Sequence, residues 1–499
     1  MNVEVGAALN LVGALLKYLS LAFLFPIPIA IGYSEAWWYY LVAGGLTALG
    51  GWGLEAATKG KERVGVREGF LVVALTWLLA SVAIAVSYIL SGEDQLSRPV
   101  DALFEAMSGM TTTGSSVVAD VSTLDKSLSM WRQFTQWFGG MGIIVLALAV
   151  LPRLRVGGRQ LMESEAPGPE LEALTASIRD TARRLWLLYV ALTALLVGIL
   201  AAFGWTGVDE RMSLFNAVAY AFSAMPTGGF GIDPRSLEGY APASQWVLAL
   251  FMTIAGANFA LLYRAFVRRK PVSLVRDEEF RMYIGLLVLA SAALAVILWD
   301  AGISSGEEAI REAAFQTVSI MTTTGFASTD FAGWIVAAPA AAMLIVALMF
   351  PGGSAGSTAG SIKIVRHLVI GKVLRRELDQ AMHPEYVAPI RVNRVAVDER
   401  TVRAVIAFVL LYVGIFVIGA VLLLLDAHRV DLELSPFDAL AASATTLGNV
   451  GPAFGFAGPF GSFEPFSDVS TGIMTGLMWI GRLEIVPVVA LLTRAYWRA

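Results

Sequence analysis

The chain has 499 residues, of which 57% are hydrophobic and 15% charged, with a formal net charge of −4. A soluble domain carries about 25% charged residues and lacks repeated apolar runs of ~20 residues, so an ordinary soluble enzyme, a disordered chain and a secreted disulfide scaffold are excluded. There are no cysteines, hence no disulfides, no thiolate metal sites and no cysteine nucleophile.

Ten apolar segments follow one another, near 5–32, 36–57, 68–91, 130–151, 184–204, 243–267, 281–300, 334–370, 403–425 and 471–493. Each is long enough to cross a bilayer. The first makes a poor signal peptide: no basic cluster precedes it, Lys17 sits inside it, and Pro26 and Pro28 interrupt its far end. It reads as a mature membrane helix. The eighth is interrupted from Pro351 to Gly360. The stretches 57–68, 151–184, 264–281, 363–403 and 494–498 hold 27 of the 36 Lys and Arg residues. The intervening stretches 92–132, 205–240, 300–333 and 426–470 hold 7 basic residues and 21 acids. Positive charge marks the cytoplasmic side, so both termini are expected there. The acid-rich outer stretches would raise the local cation concentration.

After residue 65 one pattern recurs four times: a long apolar run, a short helical stretch, a Thr/Gly-rich segment, and a second apolar run. The short stretches are Val100–Met110, Phe215–Met225, Ala309–Met321 and Pro436–Thr446, too short to span and read as re-entrant half-helices. The segments after them are Thr111-Thr112-Thr113-Gly114, Pro226-Thr227-Gly228-Gly229, Thr322-Thr323-Thr324-Gly325 and Gly448-Asn449-Val450-Gly451. Gly448 and Gly451 compete for the fourth register. Asp438 stands thirteen residues before Gly451, as Asp101 does before Gly114, which favours Gly451. In that register Ser108, Ser223, Ser319 and Thr445 coincide.

Irregular backbone at membrane depth is tolerated only where protein or a water-filled cavity satisfies it. Four such loops around one axis would satisfy it together and aim their carbonyl oxygens inward. A ring of that kind replaces the hydration shell of a monovalent cation. Glycine permits the dihedrals and the close approach, threonine adds hydroxyl oxygens, and each short helix directs its negative C-terminal end toward the axis.

The residues FEAMSGMTTTGSS at 104–116, QWFGGMGIIVLALAVLP at 136–152, MPTGGF at 225–230, MTTTGF at 321–326, GNVGP at 448–452 and GRLEI at 481–485 resemble the membrane subunit of the Trk potassium-uptake family, within the wider group of Trk, Ktr and plant HKT transporters. The linker ESEAPGP at 163–169 and the extra N-terminal helix pair resemble the Trk branch. The resemblance implies an all-α polytopic membrane fold. Four channel-like repeats, at 65–160, 161–270, 271–385 and 386–499, would surround a pseudo-fourfold pore after an N-terminal hairpin at 1–64. It implies a homodimer with one pore per protomer in the bacterial inner membrane, and potassium as the transported ion. Four filter glycines, Gly114, Gly229, Gly325 and Gly451, fit potassium preference. Pro226 and the Thr-free fourth loop make the filter asymmetric.

The eighth run contains Gly352, Gly353, Ser354, Gly356, Ser357, Thr358 and Gly360 within ten residues. A helix does not run comfortably through so many glycines and a proline, and the stretch reads as an intramembrane loop plugging the pore beneath the filter. The resemblance implies the same. Arg482 lies in the last apolar run, where an ionised side chain needs a partner or water. It reads as an electrostatic barrier facing the pore and paired with loop carbonyls or a carboxylate; a structural pair with Glu484 or a snorkelling side chain is the alternative. Lys363 reads as a plain positive-inside residue, with an anchor for the end of the gate as the alternative, and His367, His383 and His428 show no metal spacing. The chain has no Walker or Rossmann fingerprint, so no nucleotide is expected on it. The resemblance implies a separate cytoplasmic regulatory subunit of the RCK type that binds nucleotide, with the basic stretches near Arg264–Arg281 and Lys363–Arg376 as docking surfaces. A sodium-permeable or sodium-coupled transporter is the alternative. No Ser/His, paired-Asp or HExxH arrangement favours a membrane enzyme.

Overall fold

The computed structural model describes residues 3–58, 65–149, 178–385 and 388–498. Lys59, Lys61 and Arg63, most of the basic stretch 151–184, the segment 163–169 and the repeat boundary at 160 lie outside the described residues. The described chain is helical apart from one short antiparallel hairpin pairing Arg391–Val392 with Val395–Ala396.

The N-terminal run forms a helix, Val5–Ser20, carried through a tight turn at Leu21–Leu24 into a second helix, Pro26–Tyr33. Pro26 opens that helix, where its missing N–H costs no helical bond. Pro26–Tyr33 packs against Lys126–Ala149, and Val5–Ser20 packs along Trp38–Ala57. Gly13 and Gly51 bring the backbones together: a Cβ on either would lie 2.6 Å from the other's carbonyl oxygen. Small residues at such crossings let membrane helices approach closely. Lys17, charged within an apolar run, pairs with Glu55 across this contact.

Four helix triplets follow. They are Val66–Ser91, Pro99–Met110 and Lys126–Ala149; Ile178–Thr206, Leu214–Ala224 and Pro242–Ala255; Glu278–Asp300, Gly306–Met321 and Pro339–Leu348; and Glu399–Arg429, Pro436–Gly448 and Asp468–Arg482. In each triplet the short middle helix packs against both neighbours. Local sequence starts these short helices. Pro99 and Pro436 occupy first-turn positions, and the hydroxyls of Ser213 and Ser435 accept from the N–H groups of Asn216 and Asp438.

Among the described residues five helices are long and apolar enough to cross a membrane, or six if one bent pair counts as a single span. Of the other expected runs, the second and fourth are unbroken helices, Trp38–Ala57 and Lys126–Ala149, and the remaining three are broken. The sixth bends by 102° between Pro242–Ala255 and Phe259–Val267. The tenth stops at Arg482, turns through Glu484 (φ +56°) and Ile485 (φ +62°), and restarts as Val486–Leu491. The eighth is split by the loop that the sequence placed there, between Pro339–Leu348 and Ile364–Met382. The main core, among the described residues, buries aromatic side chains such as Trp131, Tyr189, Tyr220 and Phe104 between the triplets.

Candidate functional site

The four Thr/Gly segments repeat one backbone conformation. Two residues before each final glycine the chain turns left-handed, at Thr112 (φ +54°), Thr227 (φ +56°), Thr323 (φ +57°) and Asn449 (φ +55°). The glycines themselves have φ of +87° at Gly114, +80° at Gly229, +84° at Gly325 and +120° at Gly451. The N–H just before each glycine reaches back to the helix. Thr113 N donates to Ser108 O at 2.8 Å, Gly228 N to Ser223 O at 2.8 Å, Thr324 N to Ser319 O at 2.8 Å and Val450 N to Thr445 O at 2.9 Å. The acceptors are the four residues aligned in the sequence. Gly448 is the last helical residue of its segment, and Gly451 holds the register.

The loops meet in a closed ring. A Cβ on Gly114 would fall on Gly228 O, one on Gly229 on Thr324 O, and one on Gly325 on Val450 O. On Gly451 it would lie 3.0 Å from Thr113 O, which completes the circuit. Only glycine fits such approaches at positive φ. Thr111, Thr112, Thr113, Thr227, Thr322, Thr323, Thr324, Asn449 and Val450 are all buried. Thr111 and Thr322 turn their hydroxyls back onto their own helices, to Met107 O at 2.6 Å and Val318 O at 2.7 Å. One cavity touches all four glycines, together with Arg132 and Asp233. Near it, on the side read as outer, the Ser122 hydroxyl and N–H hold the Asp120 carboxyl below the usual carboxylate range.

Side chains behind the ring fix its walls. Glu105 accepts from Ser116 Oγ at 3.0 Å, Val117 N at 3.1 Å and Arg132 Nε at 2.8 Å. The Arg132 guanidinium lies 4.2 Å from the centre of the Phe230 ring, within cation–π range. Gln136 donates to Gly228 O at 2.6 Å and accepts from Ser223 Oγ at 2.8 Å. Neither Glu105, Arg132 nor Gln136 stood out in the sequence. Their one available signal was three polar side chains in helical stretches between apolar neighbours.

The loop Pro351–Gly360 lies against the ring on the face away from the cavity. Its ends are clasped by Gly352 N to Ile362 O at 2.9 Å and Ile362 N to Phe350 O at 3.2 Å. Thr358 Oγ1 lies 3.3 Å from Thr227 Oγ1, and Gly360 N donates to Thr323 Oγ1 at 2.7 Å. A Cβ on Gly360 would fall on Gly448 O, and one on Gly353 would lie 2.5 Å from Gly256 O. Carbonyls freed by the bend in the sixth run are taken up here: Ser354 N donates to Gly256 O at 2.8 Å, and Thr358 Oγ1 to Ala255 O at 3.2 Å. Gly356 O accepts from Phe259 N at 3.2 Å, and Ser357 N donates to Ser354 O at 3.2 Å. The broken helix and the loop thus satisfy one another's backbone groups.

Buried charges surround the loop. Arg482 is 3% exposed and donates from Nη1 to Thr358 O at 2.9 Å. Lys363, read from sequence as a topological charge, is instead buried and donates to Ala359 O. Glu279 is buried and accepts from Ala355 N at 2.7 Å and Val365 N at 3.2 Å, so one carboxylate ties the loop to the first turn of the helix Ile364–Met382. Glu484 accepts from Arg366 Nη2 at 2.5 Å. Among the described residues no cluster of metal-ligating side chains occurs.

Comparison with known proteins places this arrangement. Residues 46–497 match the family model TrkH, described as "Cation transport protein". The Trk system potassium uptake protein TrkH of Escherichia coli is 36% identical over 444 residues, covering 88% of each chain. The TrkH of Halomonas elongata is 34% identical over 499 residues, covering 98% of each. The crystal structure of the potassium transporter TrkH from Vibrio parahaemolyticus superposes with a TM-score of 0.86 at 31% identity, covering 99% of this chain and 100% of that one.

Proposed function

Because the chain belongs to the TrkH family of cation transport proteins and is the membrane subunit of a Trk potassium uptake system, we propose that the ring of four loops is its potassium selectivity filter. The observation that carries this reading is the closed circuit of four positive-φ glycines, each against the carbonyl that precedes the next glycine. Carbonyl and hydroxyl oxygens from Thr112, Thr113, Thr227, Gly228, Thr323, Thr324, Asn449 and Val450 are the groups available to replace water around the ion. Four repeats, at 65–160, 161–270, 271–385 and 386–499, each supply one loop, and residues 1–64 form an accessory hairpin.

In this reading Gly352–Gly360 is an intramembrane gate. It fills the space beneath the ring, and Arg482 adds a positive charge that opposes cations there. Opening requires the loop to leave its contacts with Thr227, Thr323 and Ala255. The helix Ile364–Met382 and the hairpin at 391–396 connect the gate to the basic side of the protein. We assign that side to the cytoplasm, with both termini, in a bacterial inner membrane. A nucleotide-binding RCK-type subunit docked there on a homodimer of this chain would control the loop. Nucleotide binds that partner and not this chain. Potassium moves down its electrochemical gradient or together with protons.

Reconstituted into proteoliposomes, the protein is expected to take up rubidium in preference to sodium. Comparing uptake with and without an imposed pH gradient separates passive conduction from proton symport. Equal rubidium and sodium uptake would replace this reading by a sodium-permeable transporter.

A further inference from the structure

We propose that the seam between the fourth and first loops is set by two side chains, Asn449 and Ser115, and that these determine how well the ring excludes sodium. The inference rests on the filter reading above.

At all four junctions a carbonyl faces a glycine, and at the first Gln136 also reaches Gly228 O. At the fourth the fit is looser: a Cβ on Gly451 would lie 3.0 Å from Thr113 O, whereas the equivalent approaches of Gly114, Gly229 and Gly325 are closer. Gly451 also departs in conformation, with φ of +120° against +80° to +87° in the others. Side chains bridge this junction. Asn449 Nδ2 donates to Thr113 Oγ1 at 2.9 Å and to Met478 O at 2.9 Å. Ser115 Oγ donates to Gly451 O at 2.7 Å. Outside them, Phe463 N donates to Ser116 O at 2.8 Å.

The sequence departs from the fourfold pattern at these same two places. Asn449 stands where the other loops have Thr112, Thr227 and Thr323. Ser115 stands after its glycine where the others have Phe230, Phe326 and Pro452. Two independent departures, in two distant repeats, therefore meet at one junction. The bonds are also directional. Thr111 gives its only hydroxyl proton to Met107 O at 2.6 Å and lies 2.7 Å from Thr113 Oγ1. Thr113 must therefore donate to Thr111 and can only accept from Asn449. An amide donor is required at 449, and threonine there is too short to reach. Asparagine also tolerates the left-handed backbone at this position.

A carbonyl ring discriminates between ions by the number, spacing and stiffness of its oxygens. Loosening the seam lets Thr113 O and Val450 O adapt to the smaller ion. Asn449 and Ser115 are thus positioning residues.

Rubidium and sodium uptake in proteoliposomes tests this with Asn449→Thr, Ser115→Ala, Ser115→Thr and Gly325→Ala, each first checked for a monodisperse elution profile. Asn449→Thr is tolerable because three loops already fold with threonine at that place. Asn449→Thr and Ser115→Ala should each raise the sodium-to-rubidium uptake ratio roughly fivefold, the fold-change that about 1 kcal/mol represents. Ser115→Thr keeps the hydroxyl and should keep the wild-type ratio. A merely structural role would lower both fluxes together. A wild-type ratio in both Asn449→Thr and Ser115→Ala, with a changed ratio in Gly325→Ala, overturns the seam and spares the filter. An unchanged ratio in Gly325→Ala overturns the filter reading itself. Should Asn449→Thr aggregate, Ser115→Ala against Ser115→Thr decides alone.

Discussion

The ring of short loops and the long loop beneath it are built in opposite ways. Each short loop is held locally: its helix supplies the acceptor six residues before the glycine, and a left-handed turn and a positive-φ glycine complete the shape. The long loop has almost no internal bonding. Its contacts reach Gly256, Thr323, Glu279 and Arg482, each more than thirty residues away in sequence. A locally specified element keeps its form whatever its neighbours do. An element held by distant, mostly single hydrogen bonds can be released by moving its holders, because a neutral bond of this kind is worth only about 1 kcal/mol net and one to a charged group roughly 1.5–3 kcal/mol. The difference suits the roles proposed above, a filter that must not deform and a gate that must.

The sharpest way to break this contrast is to damage the ring itself. Gly229 has φ of +80°, and a Cβ there would fall on Thr324 O. Gly229→Val adds the cost of a left-handed β-branched residue, roughly 1–2 kcal/mol before any collision is counted. Rubidium uptake should disappear, whereas the same substitution at the open helical position Gly198, where a Cβ meets nothing within 4 Å, should leave uptake near wild type. Comparable uptake by both variants would mean that the ring tolerates what its geometry forbids.

A smaller effect is expected from loosening the long loop at its charged holder. Arg482→Ala removes the bond to Thr358 O and a buried positive charge next to the loop. A hydrogen bond from a charged group is worth roughly 1.5–3 kcal/mol, so rubidium flux should rise on the order of tenfold. The rubidium-to-sodium ratio should stay unchanged, since the ring is untouched. Lower flux from a well-expressed variant would show that Arg482 supports the path instead of opposing it.

How much of this was legible in the sequence follows the same division. The ring was readable because its bonds are local and repeated: the serine and threonine acceptors, the glycines and the preference for Gly451 over Gly448 all lie at fixed offsets. The presence of the long loop was readable from its glycines. Of its anchors Arg482 stood out, as a charge inside an apolar run. Lys363 read first as a basic residue after a span, and Glu279 lay within a stretch counted for its positive charge, because their partners are backbone atoms contributed by the loop's own fold. The bend at residues 256–258 escaped because hydropathy averages over a window and Ala-Gly-Ala-Asn remains apolar enough. The turn after Arg482 escaped because Ile485 at positive φ contradicts its residue type. Only the surrounding packing forces it.

The finest test of the contrast concerns Glu279, the carboxylate that ties the long loop at Ala355 N to the following helix at Val365 N. Glu279→Gln keeps the shape and one accepting oxygen but removes the charge. A charge-assisted bond is about twice as strong as a neutral one, so the held state should lose on the order of 1 kcal/mol, a roughly fivefold gain in the released population. The chain has no cysteine, so Ser357→Cys gives a single reporter inside the loop, at a position 4% exposed. Reaction of that thiol with a charged methanethiosulfonate should be slow in the Ser357→Cys protein and several-fold faster when Glu279→Gln is added. A cysteine at Ser115, in the ring wall, should show no such acceleration. If both thiols accelerate alike, Glu279 supports the whole assembly and not the loop. If neither does, the loop does not depend on this carboxylate, and its release must be governed from the Arg482 side.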